Sequence, residues 1–250
     1  LGGNPMDGVV TNSAGEISIK SKERVNKFGE VFTPSNIVKD MLDLEGVKEY
    51  SYTFDKTFLE PACGNGNFLV EILARKLSCL DSLDKDDKDN WAMHMLQAVS
   101  TIYGVDIQED NVFESRERMT KIILDKYETT YGSEMPSGLK KCVNAILVNN
   151  ILCGNFLTET FESGTSLLTK RGKDSGETVE SPIHSKGDVM TVIEWNFDFE
   201  NKKIKAKAFT LEEIKNGGKD FEFEYEEAKY NQIFRAKKIA IGTSFDDLGI

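Results

Sequence analysis

The stretch Glu60-Pro61-Ala62-Cys63-Gly64-Asn65-Gly66-Asn67-Phe68 carries the densest chemistry in the chain. It follows a strand-like apolar run (Tyr52, Phe54, Phe58, Leu59) and precedes a helix-like one (Leu69, Val70, Ile72, Leu73). A strand, a glycine turn and a helix start together make a nucleotide-type binding crevice. Glycine lets ligand and backbone come close because no Cβ intervenes. The helix start offers N–H groups without intrahelical partners.

The segment is not a phosphate loop. Pro61 and Ala62 stand where such a loop carries glycine, no Gly-Lys-Ser/Thr follows, and Glu60 ends the strand. A carboxylate there suits a ligand with an ammonium group better than a pyrophosphate. S-adenosylmethionine, with an amino acid head and a positive sulfonium, fits that description. The plainer reading is a tight turn.

Around this crevice the sequence predicts alternating strands and helices. A loose arm over residues 1–20 leads to a short polar helix over 21–29 that stops at Gly29. Phe32-Thr33-Pro34-Ser35 reads as a helix entry, with Thr33 or Ser35 as the cap. A strand is expected over 53–60, a helix over 66–79, a charged loop over 81–89 and a helix over 90–101. A second strand over 102–107 and a long helix over 109–131 follow, then a helix or strand over 144–151. Residues 162–187, rich in Gly, Ser, Thr and Lys, read as a flexible loop, and 189–195 as a strong strand. The tail shows a lysine-alternating strand over 204–209, a helix start at Thr210, an acidic aromatic run over 221–225 and a final helix. This alternation predicts an α/β fold with a mainly parallel, doubly wound sheet and helices on both faces. Ligands of such sheets bind beyond the carboxyl ends of the strands.

Two further loop signals fall at those ends. Asp106 closes the second strand, where a carboxylate grips ribose hydroxyls or caps the next helix. Gly154-Asn155-Phe156 follows the third unit, where a polar side chain and an aromatic hold an adenine or simply turn the chain.

Composition bounds the rest. The 250 residues suit one domain, or one domain with an appendage. No apolar run approaches the roughly 20 residues of a membrane span. The polar start, with glycine and proline, does not read as a signal peptide. Cys63, Cys79, Cys142 and Cys153 are scattered, and only His94 and His184 accompany them, so a zinc site is not expected. Free thiols of a reducing cytoplasm are the reading. A net charge of −11 argues against wrapping nucleic acid by charge alone.

With these residues in view, the chain resembles the adenine-specific DNA methyltransferases of restriction–modification systems. Gly29-Glu30-Val31-Phe32-Thr33-Pro34 is similar to that family's motif X, and Glu60 through Phe68 to motif I. Tyr103-Gly104-Val105-Asp106-Ile107 is similar to motif II. Residues 149–156 are similar to motif III, with Asn155 where the family usually has Asp. The resemblance covers about residues 21–157 and implies a Rossmann-like, S-adenosylmethionine-dependent fold. It implies cofactor contacts from Phe32, Thr33, Pro34, Glu60, Pro61, Ala62, Gly64, Gly66, Asp106, Ile107, Asn155 and Phe156. It also implies a methyltransferase-like domain over 21–200 and an extension over 201–250, short of a full target-recognition domain.

The family's catalytic Asn/Asp/Ser-Pro-Pro-aromatic motif is absent, since no two of Pro5, Pro34, Pro61, Pro136 and Pro182 are adjacent. The positional substitute is Glu194-Trp195-Asn196-Phe197, whose aromatics could stack on a flipped base while Glu194 or Asn196 accepts from its amine. An ordinary strand end with a core tryptophan is the favoured alternative. Lys202, Lys203, Lys205, Lys207, Arg235, Lys237 and Lys238 read as a solvated face or a small phosphate-contact patch. The expectation is therefore a DNA-directed, cofactor-binding protein, weak or inactive alone, served by another subunit such as a specificity or restriction partner. A non-catalytic accessory subunit and a methyltransferase for a non-DNA substrate are the alternatives.

Overall fold

The computed structural model describes residues 9–162, 169–171, 178–180, 185–210 and 226–229. Its centre is an α/β unit. Strands β3 (Phe58–Glu60), β4 (Ile102–Asp106) and β5 (Ile151–Asn155) are parallel, and β6 (Thr160–Phe161) adds an antiparallel edge. Helices α4 (Asn67–Ser78), α5 (Lys88–Ser100), α6 (Glu109–Tyr131) and α7 (Ser137–Asn150) connect these strands.

Periodicity explains the packing. Leu69, Ile72, Leu73 and Leu77 line one face of α4 and are almost wholly buried. Val112, Met119, Ile123 and Tyr127 do the same along α6. Each such side chain contributes about 1.5–3 kcal/mol by leaving water. They meet Ile102, Ile151 and Cys153 on one face of the sheet. The other face, carried by Tyr103, Val105 and Leu152, packs on Met190, Val192 and Phe209. Helices on both faces were expected, yet among the described residues this second face meets β9 (Thr191–Asp198) and β10 (Lys203–Thr210). These two strands form an antiparallel hairpin extended by β11 (Glu226–Lys229).

Several expectations need correction. Residues read as a loose arm form a hairpin of β1 (Val10–Thr11) and β2 (Ile17–Ile19). Its turn is set by Asn12, whose Oδ1 accepts from the N–H groups of Ala14 and Glu16. Ser18 O then accepts from Phe32 N–H at 2.9 Å, which ties the hairpin to the segment before α2 (Ser35–Leu42). Neither Thr33 nor Ser35 caps α2 with its side chain; Glu16 Oε2 reaches across and accepts from Ser35 N–H at 3.2 Å. Helix α1 (Lys22–Phe28) matches the expected polar helix, with Ser21 as its cap and Gly29 in left-handed conformation at its end. Residues 144–151 resolve as the second half of α7 followed by the first residue of β5. Inside the expected flexible loop, β7 (Thr169–Arg171) pairs antiparallel with β8 (Thr178–Glu180). The expected helix start at Thr210 is the last residue of β10. The acidic aromatic run over 221–225 and the final helix lie outside the described residues.

The first strand is shorter than expected because a buried lysine holds the chain before it. Lys76 Nζ donates to Thr53 O at 2.9 Å and Lys56 O at 2.7 Å. Burial, only partly offset by the nearby Asp55 carboxylate, pushes this ammonium from 10.5 down to about 8. Between those values the unfolded chain binds more protons than the folded one, so this group makes stability rise with pH across that window. The stability gap between the native chain and Lys76→Met is expected to move in favour of the native chain by about 2–3 kcal/mol between pH 7.5 and 10. Urea unfolding of both proteins across this range measures it; a pH-independent gap refutes it.

Candidate functional site

The turn after β3 hangs on its neighbours by backbone bonds. Cys63 N–H donates to Val105 O and Gly66 N–H to Cys63 O, each at 2.9 Å. Ser115 Oγ donates to Gly64 O at 3.0 Å, and Arg118 donates to Asn65 O and to Asn67 Oδ1. Gly64 (φ +52°) and Gly66 (φ +86°) both occupy the left-handed region, which admits glycine without strain. A Cβ on Gly66 would sit 2.8 Å from Ser115 Oγ, and one on Gly64 would sit 3.0 Å from the Phe32 ring. Phe32 therefore lies against the glycine turn, and Asn67 Nδ2 fixes the next residue by donating to Thr33 O at 2.8 Å.

Asp106 clamps this turn to the next helix. Its Oδ2 accepts from Gly64 N–H at 2.9 Å. Its Oδ1 accepts from Gln108 N–H at 2.8 Å and from Asn111 Nδ2 at 3.1 Å. The same Asn111 Nδ2 donates to Glu30 Oε2 at 2.8 Å, so one amide bridges two carboxylates. Glu30 Oε2 also accepts from Arg24 Nε at 3.0 Å. Arg24 and Lys20 in turn reach Asp110 at 2.7 and 3.0 Å, which joins the N-terminal hairpin and α1 to the start of α6. Partial burial works to raise the Asp110 carboxyl, but these hydrogen bonds outweigh it and hold it down to about 2.

Beyond the carboxyl ends of β3, β4 and β5 opens a cleft of about 620 Å³. Phe32, Pro61, Ala62, Gly64, Asp106, Ile107, Asn155 and Phe156 line it, all expected from the sequence. Of the remaining expected residues, Glu60 ends β3 and accepts from Ala62 N–H at 3.2 Å. Gly66 starts α4, and Thr33 and Pro34 sit between Phe32 and α2. Asn155 turns the chain as well as lining the cleft, its Oδ1 accepting from Leu157 N–H at 2.9 Å. The structure adds Lys27, Phe28, Gly29, Glu30, Val31, Gln108, Gly154 and Leu157 to the wall. Glu30 was readable in the motif X stretch, but nothing local marks it as buried. That follows from Arg24, 6 residues before it in the chain, and Asn111, 81 residues after it.

The proposed catalytic stretch does not reach this cleft. Trp195 is buried, and its Nε1–H donates to Asn150 Oδ1 at 2.8 Å. Asn150 Nδ2 donates to Ser100 O and Ile102 O, at the point where α5 feeds the beginning of β4. Trp195 thus sits at the entry ends of the parallel strands, opposite the carboxyl ends. Phe197 packs beside Phe199, with ring centroids 6.2 Å apart. Glu194 and Asn196 are exposed on the other side of β9, opposite Lys207 and Lys205 of β10. The reason is chain direction. Met190, at the start of this segment, approaches Gly154 at the cleft end, and β9 then runs away from it.

Of the basic residues, Lys202 Nζ pairs with Asp89 at 2.7 Å, and Lys203, Lys205 and Lys207 alternate along β10 with Ile204 and Ala206. Arg235, Lys237 and Lys238 lie outside the described residues. Cys63, Cys142 and Cys153 are buried and form no disulfide, and burial pushes the Cys63 thiol strongly up. Among the described residues no helix is long and apolar enough to cross a membrane. No family model, curated protein or solved structure matches this chain.

Proposed function

We propose that the chain binds S-adenosylmethionine in this cleft, on a Rossmann-like framework, as a DNA adenine methyltransferase-type protein. The observation that carries the reading is convergence. The stretch at Phe32, the glycine turn, Asp106-Ile107 and Asn155-Phe156, far apart in sequence, line one cleft at the carboxyl ends of parallel strands. Such sheets take ligands there. The residues fit the cofactor on physical grounds. Glycine at 64 and 66 lets the turn pack closely on Phe32 and Ser115, and the wall offers carboxylate acceptors at Glu30 and Asp106.

Each group then has a task. Glu60 attracts the ammonium, and Phe32 with Thr33 and Pro34 covers the methionine end. Asp106 accepts from ribose, and Ile107, Asn155 and Phe156 hold the adenine. When bound, S-adenosylmethionine would supply a sulfonium methyl for displacement by an amine, with the neutral thioether of S-adenosylhomocysteine as leaving group and the amine's proton lost to solvent. The chain contributes alignment of donor and acceptor, and needs no metal for that.

The chain alone is proposed to be weak or inactive on DNA, with another subunit completing the site. One observation favours a cofactor-binding accessory role as the second reading: Glu194-Trp195-Asn196-Phe197 points away from the cleft end of the sheet. Calorimetry with S-adenosylmethionine and with S-adenosylhomocysteine is expected to show one site. A folded protein that binds neither at millimolar concentration sinks the proposal. Labelled-methyl transfer to mixed-sequence DNA, with and without a neighbouring subunit, separates a split enzyme from an accessory.

A further inference from the structure

Glu30 carries an uneven load. Its side chain is only 8% exposed. Its Oε2 takes Arg24 Nε, a second Arg24 nitrogen and Asn111 Nδ2. Its Oε1 is buried and has no hydrogen-bond partner among the described residues. A buried acceptor left empty is expensive, and a native site that keeps one invites a donor from elsewhere. Glu30 belongs to the cleft wall together with Asp106. Because Asn111 Nδ2 serves both, Glu30 Oε2 and Asp106 Oδ1 lie no farther apart than bonds of 2.8 and 3.1 Å laid end to end.

We infer that Glu30 is a second ribose acceptor, so that Glu30 and Asp106 together form a seat for the vicinal hydroxyls of a ribonucleoside. The inference rests on the cofactor reading above for the identity of the nucleoside. Charge argues for hydroxyls over an ammonium at Glu30. Arg24 already neutralises this carboxylate, so what Oε1 lacks is a donor and not a cation. Asp106 takes only uncharged donors; Gln108 and Asn111 fill Oδ1, while Oδ2, which accepts from Gly64 N–H, keeps a free lone pair. Two hydroxyls on neighbouring ribose carbons can address two carboxylates held this closely. Lys20 donates to Asn111 Oδ1 at 2.8 Å, so the N-terminal hairpin helps hold the pair.

The test titrates the full chain with S-adenosylhomocysteine and with adenosine, each beside its 2′-deoxy and 3′-deoxy analogues. For the native protein, loss of either hydroxyl is expected to weaken binding about tenfold or more. In Glu30→Gln the amide oxygen stays with Arg24, and the NH₂ group replaces the empty acceptor. S-adenosylhomocysteine should then bind about tenfold more weakly, while one deoxy analogue binds the variant as well as the parent ligand does. That non-additivity marks a direct contact, which a merely structural role would not produce. Additive losses, or a variant that loses affinity only for ligands with the amino acid head, overturn the inference. If Glu30→Gln does not fold, the native protein still decides: indifference to either hydroxyl overturns it. S-adenosylhomocysteine bound without hydroxyl discrimination refutes the diol seat and leaves the cofactor reading standing. Adenosine bound with discrimination, when S-adenosylhomocysteine is not bound, supports the seat and refutes the cofactor reading. Binding of none of these ligands refutes both.

Discussion

Trp195→Ala is expected to destabilise the domain by about 3–5 kcal/mol, the usual loss when a large buried ring is removed and the cavity cannot collapse. Trp195 packs in the main core, and its indole N–H satisfies Asn150 Oδ1 at 2.8 Å. Asn150 in turn holds the carbonyls of Ser100 and Ile102. The substitution therefore opens a cavity and loosens the junction between α5, α7 and β4 at once. Trp195→Phe separates the two effects. It keeps most of the ring and leaves Asn150 Oδ1 without its donor, which costs about 1–3 kcal/mol. Urea unfolding followed by circular dichroism gives both numbers. Cofactor affinity of the folded fraction should not change, because the cleft opens at the other end of the strands. A Trp195→Ala protein as stable as the native one, but deficient in methyl transfer, would return this residue to a catalytic role.

The glycine turn, the long α6 and the residues of the cleft floor were legible because each depends on neighbours in sequence. Gly64 and Gly66 announce positive φ, and Gly132 ends α6 in the same conformation. Contacts across the chain were not legible. Residues 1–20, with their Gly, Asn, Pro and Ser and no helical period, look loose, yet Asn12 folds a turn within them. Lys20 and Arg24 then anchor the segment to Asp110, about a third of the chain away. The cap of α2 comes from Glu16, which no local rule assigns to it. The ambiguity over residues 144–151 has a similar origin. Ala145, Ile146, Leu147 and Val148 are all buried, so the apolar run shows neither a helical stripe nor a strand alternation. The first strand ended up short because Lys76, a charge that sequence reasoning places on a surface, is buried against the carbonyls of Thr53 and Lys56.

Asp106→Ala is expected to do more damage than a lost ligand contact. A charge-assisted hydrogen bond to a ribose hydroxyl contributes about 1.5–3 kcal/mol, which is a ten- to hundredfold loss of affinity. The structure adds a second effect, because Asp106 is itself the clamp between the glycine turn and α6. Its removal leaves Gly64 N–H and Gln108 N–H without acceptors and takes one from Asn111. Water entering the cleft recovers part of this, so the expected loss of global stability is about 1–3 kcal/mol. Affinity should fall beyond the hundredfold of the direct contact, since the turn that receives the ligand is no longer fixed. Asp106→Asn sharpens the argument. It keeps one acceptor oxygen but sets an NH₂ group against Gly64 N–H or against the Gln108 and Asn111 donors. It should therefore lose affinity nearly as far as alanine does while keeping the volume of the side chain. Calorimetry with S-adenosylhomocysteine and urea unfolding, run on both variants, resolve the two effects. Full affinity in a destabilised but folded Asp106→Ala would leave the residue as a clamp alone. Full stability with lost affinity would make it a ligand contact whose backbone bonds are readily replaced.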